Sequence, residues 1–328
     1  MMHLVTVNDG ATGQSYQYDA DMVINSADSG LAFYLSQLNV LESKIYEVKY
    51  RNIIYQDIIP VDTSDPEWVD SVNYISYDGV TMGKFIAANG KDLPQSDIDA
   101  SISEIKIGYA GNSYGYTLEE LRKSQQMRMP LDVTKARVTF RGAQEHMQKV
   151  AFFGDLSRKM TGMFNNPNIP LGNSTVNWTL PATTGADMVK DMNDLLVSVW
   201  TTSANVHVPG VLLLPSDKWA IASSKRMDTG TDTTVMEFFR LNNLYTGLTG
   251  QEIEIRPILE LQTAGASSKP RMMAYEKNPD NLTLRQPIPW RSLAPQPTGL
   301  RIEVPCEYKT SGVEFRYPGS AGYKDMVA

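Results

Sequence analysis

Cysteine occurs once in 328 residues, histidine three times, and no apolar run approaches the roughly twenty residues that a membrane-spanning helix requires. One thiol, Cys306, excludes an internal disulfide framework and any multi-cysteine zinc site. Set between Pro305 and Glu307, it reads as a small buried residue. A nucleophilic thiol would need a histidine beside it, and only His3, His146 and His207 exist. Basic excess is also missing: 30 Lys and Arg against 37 Asp and Glu leave a formal net charge of −7, which argues against a dedicated nucleic-acid binder. The opening MMHLVTVNDG lacks the basic stretch and apolar core of a secretory leader, so synthesis in a cytosol is expected.

Catalytic signatures are absent as well. There is no HExxH, no phosphate-cradling GxxxxGKS/T and no strand-bounded GxSxG; in PGSAG, 318–322, the serine directly follows the glycine. Acidic stretches at 62–70 and 92–99 lack the spacing of an EF-hand loop and read as solvated loop charges. Glycine-rich GYAGNSYG, 108–115, reads as a hairpin turn rather than a phosphate cradle. No catalytic, cofactor-binding or metal-ligating residue is therefore assigned, and no cofactor is expected. No repeat of solenoid or propeller period is visible.

What is present is an ordinary soluble composition, 42% hydrophobic and 20% charged, on a chain long enough for two domains or for one with a large insertion. Residues 1–25 show no clear period and read as an extended arm. Leu31, Leu35, Leu38 and Leu41 then recur at helical spacing, and IIYQDIIPV, 53–61, reads as strand or extended chain. Across 62–116, strand-like runs (SVNYISY, KFIAA, ASISEIKIGYA) alternate with the turn formers Asp78-Gly79, Asn89-Gly90 and Gly111-Asn112. This hairpin region has many carboxylates and few large aliphatics, so it could hardly bury a core alone. It must pack on other parts of the chain or on another chain.

Thr117-Leu-Glu-Glu120 is a capping box and starts a helix. Interrupted at Pro130, the helix restarts at Asp132 with Val133, Ala136, Phe140, Ala143, Met147 and Val150 on one face. Its other face carries Lys135, Arg137, Arg141, Glu145 and Lys149; such a face is usually wet, and the pointed alternative is that it makes inter-subunit ion pairs. The helix ends in FFGDLSRKMTGMFNNPNI, 152–169. There Phe152 and Phe153 pin the helix end, Gly154 releases it, and Met160, Met163 and Phe164 pack the next segment before Asn165-Asn166-Pro167 turns the chain. A polar loop, GNSTVNWTLPATTG, leads to a helix from about Asp187 with Met188, Met192, Leu195, Leu196 and Val199 on one face. VPGVLLLP reads as a buried strand, Ser216 as the cap of a helix through Met227, and TVMEFFRLNN as a further helix. The remainder (EIEIRPIL, RMMAYEK, LTLRQPIP, LRIEVPCEYK, GVEFRYP) is strand, so the fold class is α+β.

Five passages, taken in order, carry a resemblance. They are LAFYLSQLNVLESKIYEVKYRNIIYQDIIPV (31–61), YGYTLEELRKSQQMRMPLDVTKARVTFRGAQEHMQKVAFFGD (114–155), MTGMFNNPNI (160–169), MMAYEKNPDNLTLRQPIPW (272–290) and PCEYKTSGVEFRYPGSAGY (305–323). With the hairpin-rich region between the first two, the chain resembles the major capsid proteins of tailed bacteriophages with the Hong Kong 97-type fold, which encapsulin shells share. Ser311-Gly312 stands where that family commonly has a glycine pair, and no long charged helix precedes residue 26 to serve as a built-in scaffold.

The resemblance implies an N-terminal arm and helix (1–61), an extended β-hairpin E-loop (62–112), a peripheral domain with a long spine helix (113–185), a mixed axial domain (186–298) and terminal strands returning to the peripheral domain (299–328). It implies a structural protein, not an enzyme. Pentamers and hexamers of it would build an icosahedral virion shell in the bacterial host cytoplasm, enclosing double-stranded DNA without sequence specificity and without a membrane. Expected partners are its own copies, a portal protein, and separate scaffolding and decoration proteins. Trp68, Lys84, Lys91, Arg137 and Arg141 are the candidate inter-subunit contacts. In some relatives an E-loop lysine forms an isopeptide bond with a neighbour, and Lys84 and Lys91 lie in the corresponding segment. The alternatives are an encapsulin-like compartment around a cargo enzyme and, more distantly, a cytosolic enzyme without a recognisable motif.

Overall fold

A computed structural model describes residues 4–8, 15–19, 52–78, 99–117, 119–120, 131–228, 230–299 and 301–327. The chain divides into two units, Met1–Asn52 and Ile53–Ala328. In the first, β1 (Leu4–Asn8) and β2 (Ser15–Asp19) pair antiparallel with Leu4 opposite Asp19, so the expected arm is a hairpin where it is described. The helix expected at 31–41, the strand KFIAA, Lys84, Lys91 and the acidic stretch 92–98 lie outside the described residues.

The second unit opens with a single helical turn, α1 (Tyr55–Ile58), where strand or extended chain was expected. Tyr55, Ile58 and Ile59 fall at i, i+3 and i+4 and are all buried, while Gln56 and Asp57 face out. The helical period thus overrides the β-branched composition of the run. Backbone and side-chain bonds fix this turn: Ile54 N donates to Gln148 Oε1 at 2.9 Å and the Tyr55 hydroxyl to Gln144 Oε1 at 3.1 Å. Both acceptors belong to the long helix α2 (Leu131–Phe153).

Three sheets follow. In the first, β3 (Val61–Asp62) runs parallel to β10 (Leu282–Arg285), which pairs antiparallel with β14 (Val313–Phe315). The second is antiparallel and ordered β11 (Ile288–Ser292), β13 (Arg301–Ser311), β5 (Asp99–Thr117), β4 (Ser71–Asp78), with β12 (Gln296–Thr298) also on β13. The 19-residue β5 pairs with β4 along its first half and with β13 along its second. The turn expected at Gly111-Asn112, and over 108–115 as a whole, is therefore replaced by uninterrupted strand. Its glycines serve close approach instead: a Cβ at Gly111 would lie 2.7 Å from the Cys306 carbonyl oxygen, and one at Gly108 3.0 Å from Met160 Cε.

The capping box is in place, with Glu120 N donating to Thr117 Oγ1 at 3.2 Å and Thr117 N to Glu120 Oε2 at 3.0 Å. On α2, Ala143, Met147 and Val150 are buried as expected and Ala136 is half-buried. Phe140 is 42% exposed and stacks edge-on against Trp290, ring centroids 5.1 Å apart. The side chain of Val133 lies outside those described.

The third sheet is mixed and ordered β6 (Leu171–Asn173), β15 (Ala321–Asp325), β9 (Arg271–Tyr275), β7 (Val211–Pro215), β8 (Glu254–Ile258). Val211, Leu213, Met273 and Tyr275 face one apolar cluster with the end of α2; Leu212, Leu214, Met272 and Ala274 face another with α3 (Gly185–Thr202). Both faces are covered, which is why VLLLP is apolar at every position. Thr184 and Asp187 form the capping box of α3, and Met188, Met192, Leu195, Leu196 and Val199 are buried, the face read from sequence. Three features differ from the reading. Polar-looking 171–184 supplies β6 and the fully buried Trp178, whose Nε1 donates to buried Asp191 at 2.9 Å. Pro215, not Ser216, occupies the cap of α4 (Ser216–Ser224), which ends before Met227. After α5 (Val235–Leu241), capped by Thr234, an additional helix α6 (Leu244–Thr249) starts at Asn243, whose side chain accepts from Thr246 N.

Candidate assembly site

Between β3 and β4 the chain crosses from the three-stranded sheet to the antiparallel sheet, and carboxylates line the crossing. Asp65 grips Arg285 Nη1 with both oxygens, at 2.9 and 3.0 Å. Glu67 forms a two-pronged pair with Arg291, both bonds at 2.7 Å, and Asp70 meets Lys309 Nζ at 2.9 Å. The three cations come from β10, β11 and β13, so the acidic segment is strapped across successive strands. This corrects the reading of 62–70 as merely solvated loop charges: Asp65 is largely buried, and Glu67 and Asp70, though exposed, are paired. Partners stand 220, 224 and 239 residues away, and no local spacing announces them. The only signal was the matching trio of cations at polar positions of the late strands.

Burial grades these pairs. Arg285 is nearly buried and also donates from Nε to Glu314, itself fully buried, at 2.9 Å. Burial disfavours the guanidinium charge, but its bonds to Asp65 and Glu314 more than offset this and its pKa rises. Arg291 lies nearer solvent and bridges Glu67 and Glu307, and those bonds raise its pKa. Glu307 also accepts from the Tyr109 hydroxyl at 2.6 Å; that bond and Arg291 hold its carboxyl below the ordinary range. The Arg291 bond does the same for Glu67.

Trp68, one of the candidate contacts, sits in this strap with 80% of its surface exposed. Arg137 and Arg141 lie on α2, where Arg141 Nε pairs with Glu145 at 3.1 Å within the helix. Lys135 of the same helix reaches Glu120 at 3.1 Å and the Gly115 carbonyl at 3.0 Å, tying α2 to β5. Ribbon strands β4 and β5 leave the sheet beyond Ile107. At the ribbon's root Ser71, Asn73, Glu104 and Lys106 are exposed and Val72, Tyr74, Ser103 and Ile105 only half-buried. Two strands with so little cover are marginal by themselves.

The exit from α2 is built as a clasp. Gly154 takes a left-handed conformation (φ +68°) and ends the helix, and Asp155 caps the short turn 156–158. The chain then doubles back: Met163 N donates to Ala151 O at 2.8 Å, Phe164 N to Phe152 O at 2.9 Å, and Asn165 Nδ2 to Phe153 O at 2.6 Å. Three carbonyls that a helix end leaves unpartnered are thereby satisfied. Phe152 and Phe164 stack at 4.8 Å, and Met160, Met163 and Phe164 are buried, as the sequence indicates. Arg271 Nη1 donates to Phe164 O at 2.8 Å and the Tyr323 hydroxyl to Met163 O, so β9 and β15 hold the clasp. It therefore fixes α2 to the mixed sheet.

The two described histidines each have a separate partner, His146 Nδ1 at 2.8 Å from the Tyr308 hydroxyl and His207 Nδ1 at 2.7 Å from Glu276. Cys306 is buried with its thiol at 3.7 Å from the Val304 carbonyl, and burial pushes its pKa up, the reverse of nucleophile activation. Among the described residues, no cluster of three or more His, Cys, Asp or Glu could hold a metal ion, and no helix is long and apolar enough to cross a membrane.

A family model described as major capsid protein matches residues 82–327. The fold is similar to the capsid of Myoviridae Phage XM1, with a TM-score of 0.74 at 13% identity over 87% of this chain and 95% of that one. It is also similar to a chain of the capsid of an empty GTA particle (TM-score 0.58, 10% identity, 87% and 94% covered) and to one from Mycobacterium phage Ogopogo (0.57, 9%, 86% and 94%). At these identities the likeness is one of fold. No curated protein matches the sequence significantly.

Proposed function

The chain belongs to the major capsid protein family, and from that premise we propose that it assembles as pentamers and hexamers into the icosahedral head of a tailed bacteriophage around packaged double-stranded DNA. The observation that carries the reading is the ribbon. A two-stranded projection with half-buried Val72, Tyr74 and Ile105 at its root needs surface from elsewhere, and neighbouring copies in a closed shell supply it. Trp68, Arg137 and Arg141, with Lys84 and Lys91, are the residues through which we expect neighbours to touch. A portal protein and separate scaffolding and decoration chains complete the proposed partners, and the role is structural rather than catalytic.

Particles purified from producing cells and treated with nuclease test the content of the shell. Protected double-stranded DNA supports the genome reading. Particles that instead retain a co-purifying enzyme and no nucleic acid would replace it with a cargo compartment.

A further inference from the structure

The strap between β3 and β4 has two halves held by different means. Residues 60–65 are fixed: Leu284 N donates to Pro60 O at 2.9 Å, Gln286 N to Asp62 O at 2.7 Å, and Asp65 pairs with the nearly buried Arg285. Residues 66–69 have no comparable backbone anchor, and only at the end of the segment does Asp70 O accept one, from Ile107 N. Within them only Val69 is even half-buried, and the backbone bond Val69 N to Pro66 O stays inside the segment. What ties them to β11 and β13 is ionic: Glu67 to Arg291, with 58% and 44% of their side-chain surfaces exposed, and Asp70, 84% exposed, to the buried Lys309. Lys309 adds a 3.3 Å bond to Val69 O. Beyond the strap, β4 depends on β5, starting with Ile107 N to Asp70 O at 2.9 Å.

We propose that residues 66–70 are a salt-releasable latch on the root of the ribbon, and that residues 60–65 are the fixed post from which it opens. The Glu67–Arg291 pair, open to solvent on both sides, is screened as ionic strength rises, and the exposed Asp70 carboxylate is screened at its end of the Lys309 pair, whereas the Asp65–Arg285–Glu314 cluster, taken out of water, is screened far less. Opening the latch frees the start of β4 from β11 and β13 but leaves β5 bonded to β13 from Ile107 to Thr117. The ribbon then pivots about β5. Its use in a shell, where one sequence must set the ribbon at different angles toward non-equivalent neighbours, rests on the function proposed above; the latch itself is a property of the single chain.

Hydrogen exchange of the full-length dissociated subunit at about 0.1 M and about 1 M sodium chloride, where the screening length falls from about 10 Å to about 3 Å, reads the latch directly. The Ile107 amide, which donates to Asp70 O at the end of the strap, is expected to exchange about tenfold faster at high salt, with the Leu284 and Gln286 amides, which donate to Pro60 and Asp62, unchanged. Glu67→Gln combined with Asp70→Asn should show at low salt the exchange that the parent chain shows at high salt. Salt-independent exchange at Ile107 overturns the proposal, and so does an equal rise at Leu284 and Gln286, which would mean that the strap opens as one piece. The parent chain's salt response decides the matter even where the double variant does not fold. Because the subunit is unassembled, the result is independent of whether the shell encloses DNA.

Discussion

Adding one methyl group at Gly162 should break the clasp at the end of α2. A Cβ there would stand 2.4 Å from the Phe152 carbonyl oxygen and 2.5 Å from the Gly154 amide nitrogen. Both are backbone atoms of the helix terminus and neither can rotate away. Relief requires separating 160–164 from 151–154 by roughly 1 Å, since unstrained contacts lie near about 3.5 Å. That movement pulls apart Met163 N to Ala151 O and Phe164 N to Phe152 O. Each such bond is worth about 1 kcal/mol net, and more when its buried groups are left unmet. Overpacking against the Phe152–Phe164 stack adds about 1–3 kcal/mol. Gly162→Ala is therefore expected to cost about 3–5 kcal/mol, a large part of the about 5–15 kcal/mol that holds a domain folded. For a unit of this size the corresponding fall in Tm is about 6–10 °C. Thermal unfolding of the dissociated subunit, followed by near-ultraviolet circular dichroism, measures it. A fall under about 2 °C would show that the helix exit is pliable and would refute the clasp.

Three further expectations concern other parts of the chain. Asp191→Ala strands the Lys324 ammonium, now 2.7 Å away, and the Trp178 and Ser174 donors, so it should destabilise the subunit by about 3–5 kcal/mol in denaturant unfolding, whereas a surface substitution such as Asp217→Ala should not. Acid should destabilise the subunit. Glu67 and Glu307 have carboxyls depressed by their Arg291 and Tyr109 bonds, and His146 is held below its ordinary 6.5 by burial and then by Lys149; each contributes stability above its unfolded pKa that is lost as pH falls through the folded value. Tm should thus decline first below about pH 6.5 and again in the carboxylate range, His146→Gln should remove the earlier step, and a Tm that rises on acidification contradicts the assignment. Denaturing gels of mature particles should show one band near 36.5 kDa if no Lys84 or Lys91 cross-link forms, and a ladder of multiples if one does.

Much of this architecture was legible in the residues themselves. The faces of α2 and α3, their capping boxes, the buried β7 and the release at Gly154 all follow from local periodicity and cap chemistry, which act within a few residues. What stayed hidden depends on partners far along the chain. IIYQDIIPV reads as strand by composition, yet packing against α2 selects a helical turn. Gly111 looks like a turn until β13 is laid beside it. Trp178 sits in a polar stretch because its only polar atom finds Asp191. The strap was least visible of all, since Asp65, Glu67 and Asp70 acquire meaning only when Arg285, Arg291 and Lys309 arrive from strands more than two hundred residues later.

Imaging of the purified full-length protein by cryo-electron microscopy tests the central claim most directly. Closed icosahedral shells resolved into pentamers and hexamers, with the β4–β5 ribbon of each subunit laid over a neighbour, are the predicted result. Nothing larger than small soluble oligomers under every assembly condition, or shells in which the ribbon folds back on its own subunit, would contradict it.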